Sequence, residues 1–527
     1  MSTGSDAEMA AVDGGEIEPT GSGAMSSSPL IGGEPSVEGA HRARSLRLYL
    51  PALRMEFGRT CRMAIPMLVN NMANFAISIV VFTHVGHLGK HALASAALGS
   101  SLFNVLGMSL FIGCAATLET LCGQAVGAGK YKLVGLEMAR CMLLLTASMP
   151  LFAALYAGSA PILVALGQAP ETAHGAAAYL VRLTPGLWFL GMAECFKRSL
   201  TSRGIVLPNM LIAIFTLSCM PFYAWLYIDF LGLGYLGAAH AISTGYLSNM
   251  LCFAATSAVI NWRKRGTREH AWPGWSWEMI RGFRGFIALA FPTTMMICLD
   301  WWCWEIMILL AGLLPDPEVS VGVMGLGFNV VSLFMMTPLA TTCAAGVGVA
   351  NFLGANQPRR ARLAQYMGMA LNTALMTTFC VLIYVLRHRI GHIYTDDVEV
   401  LAALDAVVPF ISAILWVDAF QSICTAPLRG SGRQAIGAAV SVVVLWCFCV
   451  PLAATLGFGF KLALHGFWYA LLVGYSCEAV ILFATVTVLI DMDKEAQQAQ
   501  LRMLERAATA AVTAPGSASL EEALLPA

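Results

Sequence analysis

Apolar runs of about 20 residues recur along this whole chain, and each is long enough to cross a ~30 Å hydrocarbon core. Twelve are readable, at about 63–83, 93–118, 141–166, 176–196, 205–226, 236–260, 286–311, 323–350, 364–386, 401–425, 436–456 and 466–490. Lipid leaves no water to satisfy backbone N–H and C=O groups, so such runs must become helices packed against one another. The predicted fold class is therefore an all-α polytopic membrane protein with twelve transmembrane helices. Composition agrees, since only 12% of residues are charged against about 25% in soluble domains. Pro66 and Pro292 fall early in the first and seventh runs and mark expected helix breaks or gates.

Lysine and arginine decide the sides. With both termini in the cytosol, 26 of the 31 fall on that side and four on the other, with Arg182 inside the fourth run. That asymmetry is the positive-inside pattern. The first 40 residues are rich in Gly, Ser and Glu, with no apolar core, and read as a disordered tail rather than a signal peptide. The 15 cysteines form no CxxC pair, which favours small buried hydrophobes over metal knuckles. The longest internal loop, Asn261 to Gly285, is basic and carries Trp272, Trp275 and Trp277, as a segment at the membrane interface would.

That loop sits at the midpoint and separates two similar halves. "AIPMLVNN" (Ala64 to Asn71) echoes "AFPTTMMI" (Ala290 to Ile297), the Gly-Ala pairs of "GQAVGA" and "NFLGAN" end corresponding runs, and "SRG" echoes "LRG" at residues 202 and 428. All three matches share an offset of 226 or 227 residues. Six is even, so the halves share orientation about a pseudo-two-fold axis along the membrane normal. The expected divisions are a tail at 1–55, an N-terminal six-helix lobe at 56–260, a cytosolic linker at 261–285, a C-terminal lobe at 286–490 and a cytosolic tail at 491–527.

Several chemistries are excluded. "GQAVGAGKY" has Gln124 and Tyr131 where a phosphate-binding loop needs Gly and Ser or Thr. No His/Cys/Glu cluster has metal spacing, and only His240 lies within a run. What remains is an ion-driven carrier, which needs titratable groups inside the bilayer. Those present are Asp300 and Glu305 in the seventh run, Asp418 in the tenth and Glu478 in the twelfth. Acids at this depth are costly and normally face a cavity or a partner. Each has an alternative role as a neutral carboxyl that ties helices together, most evenly balanced for Glu478. Asp300 and Glu305, five residues apart, point roughly 140° from each other around a helix, so one ligand cannot face both. Glu119 and Glu194 sit at cytosolic ends beside basic residues and read as gate-network groups.

"LETLCGQAVGAGKY" (Leu118 to Tyr131), "CLDWWCWEIMILLAGLLPDP" (Cys298 to Pro317), "VDAFQSICTAPLRGSGRQAIGA" (Val417 to Ala438) and "DMDKEAQQAQLRM" (Asp491 to Met503) resemble, in order, signatures of the multidrug and toxic compound extrusion (MATE) family in its plant DETOXIFICATION branch. The resemblance implies the two-bundle MATE fold and proton-coupled antiport, with Asp300, Glu305 and Asp418 as coupling sites. Two departures stand out. Asp300 replaces the usual Glu, and the first-span acid of prokaryotic relatives is absent, with Asn70, Asn71 and Asn74 there instead.

The expected function is a proton-coupled antiporter, not an enzyme, that exports organic solutes or xenobiotics from the cytosol by alternating access. A lipid-linked flippase on a related fold and a non-transporting membrane scaffold are the alternatives. Solute contacts are expected at Trp304, Asn70, Asn71 and Asn329, and a gate at Arg429. The partners are a small organic solute, cationic or aromatic in character, and the lipid bilayer. No cofactor beyond the proton, no metal and no nucleic acid is expected, and the chain is expected to act as a monomer in the vacuolar or plasma membrane. "SSSPLIGG" and "LEEALLPA" resemble vacuolar sorting signals but lack an acid four residues before the first leucine.

Overall fold

A computed structural model describes residues 37–165, 167–272, 274, 277–280, 282–314, 317–390 and 398–511. Both sorting-like peptides lie outside these residues, as does Trp275. The helices are α1 (Pro51–Gly86), α2 (Lys90–Gly127), α3 (Tyr131–Ala157), α4 (Pro170–Ser202), α5 (Leu207–Phe230), α6 (Tyr235–Arg263), α7 (Phe283–Ala311), α8 (Gly322–Gly354), α9 (Pro358–Val385), α10 (Val407–Ser431), α11 (Gln434–Gly459), α12 (Ala463–Leu489) and α13 (Met492–Ala511). Among the described residues ten are long and apolar enough to cross a membrane, and α4 and α6 complete the twelve spans. These two are the more polar because they pack on each other and on α2, α3 and α5. Gly186 of α4 makes the approach possible, since a Cβ there would meet the Ser243 hydroxyl of α6 at 2.7 Å.

Among the described residues, those up to Ala52 and those from Leu53 onward form two separate units. The segment expected as a tail to residue 55 is helical from Val37 onward. Within the larger unit, helix pairing repeats with a shift of six. α2 packs on α3 and α4, α4 on α6, and α5 on α6; correspondingly α8 packs on α9 and α10, α10 on α12, and α11 on α12. The turns after α2 and α8 each contain a left-handed residue, Gly129 (φ 69°) and Asn356 (φ 56°), the two types that most readily end a helix this way.

Three expectations need correction. The third span starts at Tyr131 rather than near 141, and it ends at Ala157. Its first turns are charged, but Arg140 and Glu137 pair at 2.7 Å and neither is exposed. Pro66 and Pro292 do not break their helices, which run unbroken to Gly86 and Ala311. Each proline removes a single bond, and after Pro292 the Thr293 and Thr294 hydroxyls donate to the carbonyls of Leu289 and Ala290 at 2.7 Å. Finally, much of the C-terminal "tail" is α13, an amphipathic helix that buries Met492, Ala496, Ala499 and Met503.

α13 ties the two halves together at their basic end. Gln500 donates to the Gly354 carbonyl, Arg502 to that of Ser431 (2.6 Å), and Glu495 pairs with Arg433 (2.8 Å). On the other half, Arg506 pairs with Glu137 at 2.6 Å. Arg506→Ala should cost roughly 1.5–3 kcal/mol, the value of a charge-assisted hydrogen bond. Limited proteolysis should then cut α13 faster while the spans stay protected.

Candidate functional site

α7 presents its two acids to different neighbours. Asp300 accepts a hydrogen bond from the Tyr475 hydroxyl of α12 at 2.9 Å. Glu305 turns to α2 in the other half, where Ser101 Oγ lies 3.4 Å from each of its oxygens. Asp418 on α10 and Glu478 on α12 are 2% and 0% exposed. Both are near enough to Asp300 for like charges to repel. Ser441 of α11 donates to Glu478 Oε1 at 2.7 Å. One oxygen of Asp418 and one of Glu478 have no hydrogen-bond partner. Among the described residues no lysine or arginine forms an ion pair with any of the three.

The structure thus assembles Asp300, Asp418 and Glu478 inside the second half and leaves Glu305 apart, at the seam between halves. Tyr475 and Glu478 were not among the residues assigned to the site from sequence. Their signal is the 3–4–3 spacing of Trp468, Leu471, Tyr475 and Glu478, which puts all four on one buried face of α12.

Trp304 is corrected. It lies one turn from Asp300 as expected, but it is only 3% exposed. It stacks on Tyr475 (centroids 6.1 Å apart) and packs against Phe328 and Trp468. Burial among three aromatic rings makes it a core residue that holds Tyr475 in place. Asn70 is buried and donates to Asn71 Oδ1 at 3.2 Å; Asn71 in turn donates to the Met336 carbonyl of α8 at 3.3 Å. Asn329, about two turns earlier on α8, is exposed and bonds only the Gly325 carbonyl of its own helix. The first-span asparagines therefore join α1 to α8, and Asn329 stands apart from them.

The basic end is closed by a second network. Glu119 of α2 pairs with Arg198 of α4, lies 3.6 Å from the Arg429 guanidinium of α10, and accepts from Cys343 of α8 at 2.9 Å. Glu194 pairs with Arg198 and Lys197. Thr120 donates to the Arg429 carbonyl, and Gln124 to that of Gly430 at 2.9 Å. Here α2 and α8 touch backbone to backbone, and a Cβ on Gly123 would meet the Ala350 methyl at 2.6 Å. Arg429, expected at a gate, sits in this network with Glu119 as its carboxylate partner, while Glu194 reaches the network through Arg198. Arg198 went unrecognised because its sequence context, "FKRSLTSRG", has no feature that separates it from its neighbour Lys197.

At the opposite end of the same seam, α2 meets α7. Within a wide π-type turn at Asn104–Met108, the Val105 carbonyl accepts from the Ser109 hydroxyl at 2.7 Å and from Trp302 Nε1 of α7 at 3.0 Å. The halves therefore touch along α2 on two sides, through α7 and through α8.

Known proteins share this layout. The MatE family model matches residues 66–226 and 292–455, two stretches that begin with the repeated prolines. Protein DETOXIFICATION 17 of Arabidopsis thaliana is 31% identical over 442 residues, covering 83% of this chain and 91% of that protein. Protein DETOXIFICATION 12 of the same plant is 33% identical over 452 residues, 85% and 92% of the two chains. The crystal structure of the eukaryotic MATE transporter AtDTX14 superposes with a TM-score of 0.81 at 29% identity, covering 85% of this chain and 99% of that one. The chain belongs to the MATE family of secondary transporters, in its plant DETOXIFICATION branch.

Proposed function

We propose that this protein is a proton-coupled antiporter that exports organic solutes from the cytosol, by alternating access between six-helix halves at residues 56–260 and 286–490. The observation that carries the reading is the Asp300–Asp418–Glu478 cluster in one half, with Asp418 and Glu478 buried, Asp300 half-buried and no paired cation among the described residues. Leaving charge unpaired at such a site is far costlier than leaving a neutral acid there. The cluster is therefore suited to hold protons in this conformation and to lose them when a cationic solute or water enters. Proton and solute then share one coupling free energy and compete for the same half.

The positive-inside pattern assigns the closed basic end to the cytosol, so the Glu119–Arg198–Arg429 network is the cytosolic gate and this state faces away from the cytosol. The far side is the vacuolar lumen or the cell exterior. Of the acids on α7, Asp300 takes the coupling role and Glu305 a seam role. Asn70 and Asn71 line the α1–α8 contact, where a solute of aromatic or cationic type is held on its way through.

The test is the purified full-length chain in proteoliposomes under an imposed pH gradient, with a panel of organic cations and aromatic solutes. Solute accumulation that collapses with the pH gradient supports the reading. Accumulation that follows a Na⁺ gradient and ignores pH replaces the proton as the coupling ion. Glu305→Gln should keep gradient-driven accumulation, since Glu305 lies outside the acid cluster. Loss of coupling in that variant with Asp418→Asn unaffected would transfer the coupling site to the seam.

A further inference from the structure

We propose that the first half carries a binding site for an anionic phospholipid of the leaflet at the basic end. A cavity of about 580 Å³ lies between α3, α4, α6 and the segment that follows α6, within the roughly 300–1,000 Å³ of ordinary ligand sites. It is far from the acid cluster, which the other half supplies. Its walls are hydrocarbon: Met138 and Met142 from α3 and Phe196 from α4, faced by Ala254 and Ala258 of α6. Its mouth is polar and cationic, formed by Asn261, Arg265 and His270.

The geometry of α6 grades one into the other. Ala254, Ala258 and Asn261 follow at spacings of four and three on one stripe of α6, and Arg265, in the turn just past the helix end, lines the same cavity, so the lining runs from methyl groups to a guanidinium. On the adjacent face Val259 and Trp262 are 48% and 72% exposed, apolar surface that only acyl chains cover comfortably in a membrane protein. An occupant must therefore be apolar along most of its length and anionic at one end.

Charge makes the same selection. Arg263, Arg265 and Arg268 are exposed and form no ion pair among the described residues. The nearby cations that are satisfied are Lys264, paired with Glu269 at 2.6 Å, and Arg203, which donates to Asn261 Oδ1 and the Glu269 carbonyl. Glu269 thus has its cation already, and Arg265 is left over at the mouth of the apolar slot, with Arg263 and Arg268 near it in the same segment. A phospholipid headgroup supplies the missing anion, while its acyl chain fills the slot between Met138, Met142 and Phe196. A transported cation fits less well, because no acid is among the described residues that line the slot.

The experiment uses the full-length protein in nanodiscs of phosphatidylcholine, with and without phosphatidylserine, released into native mass spectrometry. Wild type should retain one phosphatidylserine in preference to phosphatidylcholine. Arg265→Ala should weaken that retention roughly fivefold, the share of one juxtamembrane cation. Ala258→Trp, which places an indole in the slot at an exposed position of α6, should abolish it while leaving pH-driven transport in phosphatidylcholine intact. Equal phosphatidylserine retention by wild type and both variants overturns the site. Displacement of the retained lipid by inorganic phosphate also overturns it, because a soluble anion would then suffice. Unfolding temperatures in phosphatidylcholine alone should match among the three proteins, so that a loss of retention reports the site and not the fold.

Discussion

Asp418→Asn is expected to abolish accumulation driven by a pH gradient while the protein remains folded, inserted and able to exchange solute down its own gradient. Asn has the shape of the acid but cannot exchange a proton, so it imitates one protonation state permanently. The cost to the fold should be small, since one Asp418 oxygen already lacks a partner and Asn replaces a neutral acid by a neutral amide of the same size. The coupling itself should be lost. If proton and solute are linked by about 1–3 kcal/mol, acidification weakens solute binding by roughly 5–150-fold in wild type, and by nothing in the variant. Asp300→Glu makes the contrasting control. It adds a methylene against the 2.9 Å contact with Tyr475, so the ring must shift, but a titratable carboxyl stays in the cluster and coupling should survive. Solute binding measured at two pH values, with counterflow on the same preparations, separates these outcomes. An Asp418→Asn protein whose solute affinity still falls on acidification would remove the tenth helix from the coupling site.

The features visible in the sequence are those that depend on neighbours along the chain. Apolar length, lysine and arginine counts and a constant offset between motifs required no knowledge of packing, and they led to twelve helices in two repeats. The start of α3 was hidden because Lys130, Lys132 and Arg140 read as a loop, although Glu137 neutralises Arg140 one turn away at 2.7 Å. Trp304 was misjudged for a related reason. A tryptophan one turn from a buried acid has the same spacing whether it meets a solute or, as here, Tyr475 and Trp468. Two of the three clustered acids were singled out because charge in a bilayer is rare. Glu478 stands out on the same ground but is evenly balanced against a role tying helices together, and it joins them once α12 is seen to turn its 468–471–475–478 face inward. The gate was half legible: Arg429 lay in a recognisable turn, whereas Arg198 gained its meaning from Glu119, 79 residues away on another helix.

Glu119→Ala should open that gate. Glu119 is 1% exposed and is the common partner of Arg198, Arg429 and the Cys343 thiol, which come from three different helices. Without it, Arg198 retains Glu194, but Arg429, with a side chain only 7% exposed, has no other carboxylate partner among the described residues. Breaking a buried pair by deleting one partner costs about 3–5 kcal/mol. In this protein that cost falls on the closed arrangement alone, because opening lets water reach both guanidiniums. The equilibrium should therefore move toward the state open at the basic end by roughly two to four orders of magnitude. Cys343 provides the readout. Its thiol is 5% exposed and points at Glu119 in the closed state, so a membrane-impermeant maleimide applied from the basic side should modify it slowly in wild type and rapidly in Glu119→Ala. Peptide mapping distinguishes Cys343 from the other cysteines. Transport should fall, because a carrier held open on one side cannot complete its cycle. Glu119→Gln, which keeps an acceptor for both arginines, should lie between the two. Deleting Arg429 together with Glu119 should recover part of the closed population, since it removes the cation left stranded. Unchanged Cys343 modification in Glu119→Ala would mean that the backbone contacts of Gly123 and Gly127 with α8, and not this ion network, hold the two halves shut.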